Sequence, residues 1–285
     1  MRLRSALLAL LFLPLAGNAY AAGGQGADDD SGPASQLTLA MTLYAGGITL
    51  GKVDMDTTIR GDQYHAVSNL ETSGVVNAFW QAQIQATSTG TIDGKSIQPS
   101  LYDSFDTNHA GKKQEVSITY QNDAPIRLYA NPKYKTTGYE VKAEDQKATF
   151  DPLSAVVYIA SGISATPNDP CGVVAPVFDG RRRYNIEIHK VGDAIKKMDN
   201  GLYNGHISVC EIRYHQIAGF KPKILKENEK FPTISAWIAT FQSSATGRKY
   251  VVPLRVWADT EFGTVSAVAT ALKIDGAVPK SAGNG

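Results

Sequence analysis

The chain has 285 residues, 43% hydrophobic and 19% charged, with 28 Lys+Arg against 27 Asp+Glu. Such an even charge balance excludes a general nucleic-acid binder, which needs a basic excess. The length suits one large β domain or two small ones, and beyond the first 20 or so residues no apolar stretch is long enough to cross a bilayer.

The opening MRLRSALLALLFLPLAGNAYAA sets Arg2 and Arg4 before an apolar core, Ala6 to Leu15, and reaches Ala19-Tyr20-Ala21, a small-x-small cleavage pattern. Residues 1–21 read as a secretory signal peptide, so the expected address is periplasmic or secreted. Losing Arg2 and Arg4 takes 28 basic residues to 26 against 27 acidic ones, a net charge near −1. Residues 22–35, AGGQGADDDSGPAS, hold no large apolar group and read as a disordered tether. The tail 276–285 reads alike, leaving 36–275 as a single β-rich domain.

From Gln36 the pattern has period two. Leu37, Leu39, Met41 and Leu43 alternate with small or polar residues, and Gly46-Gly47 offers a hairpin turn. The return strand places Val53, Met55, Thr57 and Ile59 on one face, with Gly51 a plausible bulge. Arg60-Gly61-Asp62 turns the chain again. Trp80, Ala82, Ile84 and Ala86 share a face of the next strand, and Asp93-Gly94 is another turn. Strands follow over 97–107 and 114–121, the second presenting Val116, Ile118 and Tyr120 together.

The segment DPLSAVVYIASGIS, 151–164, breaks this rhythm. Asp151 suits an N-cap and Pro152 the first helical position. Leu153, Val156, Val157, Ala160 and Ile163 then line one helical face. A strand is the alternative, because Val156, Val157 and Ile159 are β-branched. Strands resume over 173–178, 182–190, 204–217, 233–241, 249–258 and 263–274. The fold class expected is mainly β: a curled antiparallel sheet, half-barrel or barrel-like, with one amphipathic helix packed on it. Two stacked sheets are the alternative.

Cys171 and Cys210 make an even count in an oxidising compartment and read as a disulfide, with two free buried thiols as the alternative. VVAPVFDGRRRYNIEIHK, 173–190, reads as a hairpin on a two-residue Asp179-Gly180 turn. In that register Arg182 opposes Val177 and joins Val173, Ala175, Tyr184, Ile186 and Ile188 on the inward face. An inward guanidinium needs water, a protein carboxylate such as Asp179, or an anionic ligand. Arg181 and Arg183 fall on the other face as a solvated edge. Glu211, Arg213 and His215 share the outward face of their strand.

No G-x-S-x-G, no clustered Cys/His set and no Gly-rich phosphate loop appears, so neither a catalytic residue, a metal nor a cofactor is expected. Five stretches, YAGGITLGKVDM (44–55), DPLSAVVYI (151–159), CGVVAPVFDGRRRYNI (171–186), CEIRYHQIAGFKP (210–222) and VPLRVWADTEFGTVSA (252–267), resemble the bacterial family called domain of unknown function 3108. That resemblance implies a secreted envelope protein with a curved antiparallel sheet, distantly similar to half-barrel carriers that hold acyl chains against an inner helix. It marks Cys171, Asp179, Gly180, Arg181, Arg182, Arg183 and Cys210 without assigning them a role.

The expected function is non-enzymatic: a concave face that binds an apolar or acylated envelope molecule. Arg182 would meet an anionic head group, and Trp80, Tyr184 and Trp237 the chain. A structural or protein-interaction module, offering a sheet edge to an envelope protein, is the alternative. A hydrolase of envelope polymers is a second. The partners expected are a lipid or acylated ligand or an envelope protein, with no nucleic acid.

Overall fold

In the chain, alternating apolar and polar residues become thirteen antiparallel strands: β1 (Ala34–Ala45), β2 (Ile48–Arg60), β3 (Gln63–Thr72), β4 (Ala82–Asp93), β5 (Ser96–Asn108), β6 (Lys113–Gln121), β7 (Ala124–Asn131), β8 (Val173–Phe178), β9 (Arg183–Lys197), β10 (Asn204–Ala218), β11 (Ile234–Gln242), β12 (Lys249–Thr260) and β13 (Gly263–Ile274). The structure is a computed structural model that describes residues 32–73, 81–108, 111–166, 169–222, 232–260 and 263–279. The signal-peptide reading therefore falls outside the described residues.

Among the described residues all thirteen strands join one sheet in the order β7-β6-β5-β4-β3-β2-β1-β13-β12-β11-β10-β9-β8. The first strand lies mid-sheet and the last returns beside it. The alternation works as the sequence implies: Leu37, Leu39 and Leu43 of β1 are buried, as are Met55, Thr57 and Ile59 of β2 and Val116, Ile118 and Tyr120 of β6. The chain turns at Gly46-Gly47, with positive φ at both. β2 bulges opposite Leu43/Tyr44, beside Gly51.

The two edge strands, β7 and β8, do not pair with each other. A short strap links them instead. Ala148 N donates to Asp123 O in the β6–β7 turn at 2.7 Å, and Phe150 exchanges backbone bonds with Pro176 O and Phe178 N of β8, both at 2.8 Å. The β8–β9 turn closes onto the far edge as well: a Cβ built on Gly180 would lie 3.0 Å from Leu128 Cδ1 and 3.1 Å from Val116 Cγ1. The sheet is thus curled until its ends meet through loops rather than through a ladder.

Within the curl lies α1 (Pro152–Ala160), in contact with β3, β4, β5, β8 and β12. Its start is written in sequence. Asp151 Oδ1 accepts from Leu153 N at 3.0 Å and Ser154 N at 2.8 Å, satisfying two of the helix's free N–H groups. Leu153, Val157 and Ala160 are buried as the periodicity implies. Ser154 and Ala155 are buried too, because the helix is enclosed on more than one side.

A polar clamp fixes this helix to the sheet. Asp151, Ser154 and Ser88 are all but inaccessible, and Tyr64 is buried beside them. Tyr64 Oη lies 2.6 Å from Ser154 Oγ, Ser88 Oγ lies 2.7 Å from Ser154 Oγ and 3.1 Å from Asp151 Oδ2, and Ser154 Oγ also bonds Asp151 Oδ2. Those four contacts need four hydrogens, and the three hydroxyls supply only three. Protonation of Asp151 would complete the set. Burial, opposed by the bonds from Ser154 and Ser88, pushes this carboxyl up to about 6.

Cys171 and Cys210 form a disulfide, both fully buried among Val173, Ile188, Ala236, Ile238 and Val251. It pins the segment after α1 to β10.

Candidate functional site

The β8–β9 corner differs from the two-residue turn read from the sequence. Phe178 pairs with Arg183 and Val177 with Tyr184, so Asp179, Gly180, Arg181 and Arg182 together make a four-residue loop. The physical reason is Asp179. Its carboxylate folds back, Oδ1 accepting from Arg181 N at 2.9 Å and Arg182 N at 2.6 Å. The pairing moves by two residues, which preserves the faces. Val173, Ala175 and Val177 still share the inner side with Tyr184, Ile186 and Ile188, but Arg182 is a loop residue rather than an inward strand residue.

Arg182 reaches Asp179 Oδ2 through Nε and Nη2, each at 2.8 Å. That carboxylate holds the guanidinium even more firmly protonated than usual, against the opposing effect of burial. About a third of the Arg182 side chain stays exposed (34%), so the pair sits at the rim. Tyr184 is buried, 4.6 Å from the ring of Tyr214, which in turn meets Phe220 edge-on at 6.3 Å. Burial pushes the Tyr184 hydroxyl well up. Arg181 lies 5.8 Å from the Tyr134 ring, and Arg183 bonds Tyr184 O and Asn185. His215 is exposed and bonds Glu187 at 3.1 Å on the outward face.

Of the other two aromatic positions, Trp237 lies apart from this corner. Trp80 is outside the described residues. Trp237 is half-buried on β11, edge-on to Trp257 at 5.7 Å, with Lys196 and Arg255 each 5.3 Å from its ring centre.

A second locale escapes a reading of the sequence. A cleft of about 630 Å³ opens between the segment after α1 and strands β9 to β12. Ala165, Pro170, Ile207, Ile238 and Val251 give its apolar surface, and Lys190, Asp193, His206, Thr240 and Lys249 its polar one. It lies on the helix side of the sheet: Ile238 and Val251 pack with Tyr158 and Ile159 of α1, and Gly162 approaches Val251 Cγ2. Lys190 bonds Asp193 at 2.8 Å and holds that carboxyl below its ordinary range. Lys249 is exposed and makes no ion pair among the described residues. Alternation on β10 and β11 could have placed Ser208, Ile238 and Thr240 on one face, but the opposing wall comes from a loop.

Among the described residues no group of three or more His, Cys, Asp or Glu could hold a metal ion, and no helix is long and apolar enough to cross a membrane. The molecule is a barrel-like β protein, one antiparallel sheet curled about a helix, with a cleft on its inner side. It belongs to the family described as "Protein of unknown function (DUF3108)", whose model matches residues 38–270. No curated protein matches the chain. Among solved structures it is similar to a β-barrel-like protein of domain of unknown function DUF1849 from Brucella abortus, at 11% identity, 85% coverage of this chain, 97% of that one and a TM-score of 0.49.

Proposed function

We propose that this is a non-enzymatic, periplasmic or secreted protein that binds an amphiphile in the cleft beside the helix. One observation carries the reading: a single concavity joins an apolar floor to a cationic rim. Ala165 and Pro170, above a floor of Ile207, Ile238 and Val251, would cover an acyl or similar chain, and Lys249 would face an anionic head. The volume falls within the range usual for small-molecule sites, roughly 300–1,000 Å³. The head-group role considered for Arg182 passes to Lys249, since Asp179 already engages that guanidinium.

The test is titration of the purified protein with a fluorescent fatty-acid probe, alongside mass spectrometry of co-purified lipids. Thr240→Trp, which fills the cleft from an exposed strand position, should abolish probe binding, and Lys249→Glu should weaken it about tenfold, the scale of one charge-assisted bond. Undiminished binding in Thr240→Trp would sink the reading.

A second reading, a protein-interaction module, draws on edge strand β7, where Ile126, Leu128 and Tyr129 are exposed. Such an edge can accept a partner strand. A charge at Ile126 would disrupt that association and leave probe binding intact.

A further inference from the structure

We infer that the face of β11 and β12 opposite the cleft carries a binding site for a phosphate-type oxyanion, built on Arg255 and Lys196. The register sets the geometry. Trp237 pairs with Arg255, which pairs with Val268; on the next row Ser235 pairs with Trp257, which pairs with Ser266. Trp237, Arg255 and Trp257 therefore share one face, opposite Val256 and the buried Ala258. Ile238, which lines the cleft, points to the other side from Trp237, so the two sites are separate.

The guanidinium lies 5.3 Å from the Trp237 ring centre and 5.2 Å from that of Trp257, and Lys196 Nζ lies 5.3 Å from Trp237. Two cations thus share one indole. Neither has a hydrogen bond or ion pair with any described residue. Arg255 Nε is closed off from water without an acceptor. Its Nη groups have no acceptor among the described residues and are not closed off in this way. The acid on the same row, Glu211 opposite Ser235, is already bonded to His189 at 3.1 Å and Arg213 at 3.5 Å.

Aromatic faces hold cations in place but do not neutralise them. An indole-stacked guanidinium has its planar fork fixed for a two-point bond to an oxyanion, and a lysine adds a movable charge. Phosphate answers both, and the two indoles offer a flat apolar surface to whatever adjoins it. The phosphate could be free or part of a lipid head group.

Two of the chain's three tryptophans stand at this site, so intrinsic fluorescence reports it directly. The full mature protein is titrated with inorganic phosphate at constant ionic strength. It is titrated separately with vesicles of phosphatidylcholine, with and without phosphatidylglycerol. A saturable response is expected from at least one probe, weakened about tenfold in Arg255→Gln and in Lys196→Gln, the loss of a charge-assisted hydrogen bond, and unchanged in Arg213→Gln. Saturation by inorganic phosphate assigns free phosphate, whereas saturation by phosphatidylglycerol vesicles alone assigns a head group. No response to any probe overturns the site. So does equal weakening in Arg213→Gln, or a response unaltered in both site variants. Should Arg255→Gln fail to fold by circular dichroism, Lys196→Gln on the half-buried end of β9 decides alone.

Discussion

Replacing Asp151 by asparagine tests the buried clamp most directly. The wild-type carboxyl is pushed up from 3.8 to about 6 by burial, against the bonds from Ser154 and Ser88. In the unfolded chain it titrates near its ordinary value. Between those values the native state holds a proton that the unfolded state has released, so stability falls as pH rises from about 4 through about 6. A shift of about two pH units corresponds to roughly 3 kcal/mol. The substituted amide keeps a side-chain oxygen for Leu153 N and Ser154 N, supplies N–H donors towards the serines, and has no charge to bury. Urea unfolding of both proteins, disulfide intact, gives the difference in stability at each pH and cancels every other titrating group. That difference should move by roughly 2.5 kcal/mol in favour of Asp151→Asn between about pH 4 and about pH 7.5. A difference flat with pH, or drifting the other way, would refute the idea that the clamp favours the protonated form of this acid.

Three further outcomes follow from the packing. Changing Cys171 and Cys210 together to Ser should cost roughly 4 kcal/mol in unfolding free energy, because the bond closes a loop with a sequence separation of 39. Tyr120→Phe should leave stability unchanged or raise it by up to about 1 kcal/mol in the same assay, since that buried hydroxyl has no hydrogen-bond partner among the described residues. Gly180→Ala should lower the thermal midpoint, by the equivalent of about 1–3 kcal/mol. Its φ is +86°, and a methyl there would press on Leu128 and Val116 across the junction of the sheet ends.

Most of the strand pattern is legible in the sequence because each strand has one buried face. Val173–Phe178 and Gly263–Ile274 match the sequence reading to the residue, and α1 is announced by Asp151 and Pro152. β7 is not legible: Pro125 sits near its start, a bulge shifts its pairing at Thr119/Tyr120, and Ile126, Leu128 and Tyr129 are exposed on an edge. The arginine loop departs from the hairpin rule because that rule treats Asp-Gly as backbone alone, whereas the Asp179 side chain captures the next two amides. The cleft cannot be read from strand alternation, since one wall is the segment after α1, held in place by a disulfide to a strand 39 residues later.

Because the strap at Ala148 to Phe150, and not a ladder, joins β7 to β8, this fold works like a hoop closed by a buckle. Its girth is set by three backbone bonds instead of a full row of strand bonds. Widening the hoop would sacrifice those three and the packing of the Gly180 turn on Leu128 and Val116, leaving every strand with its neighbours.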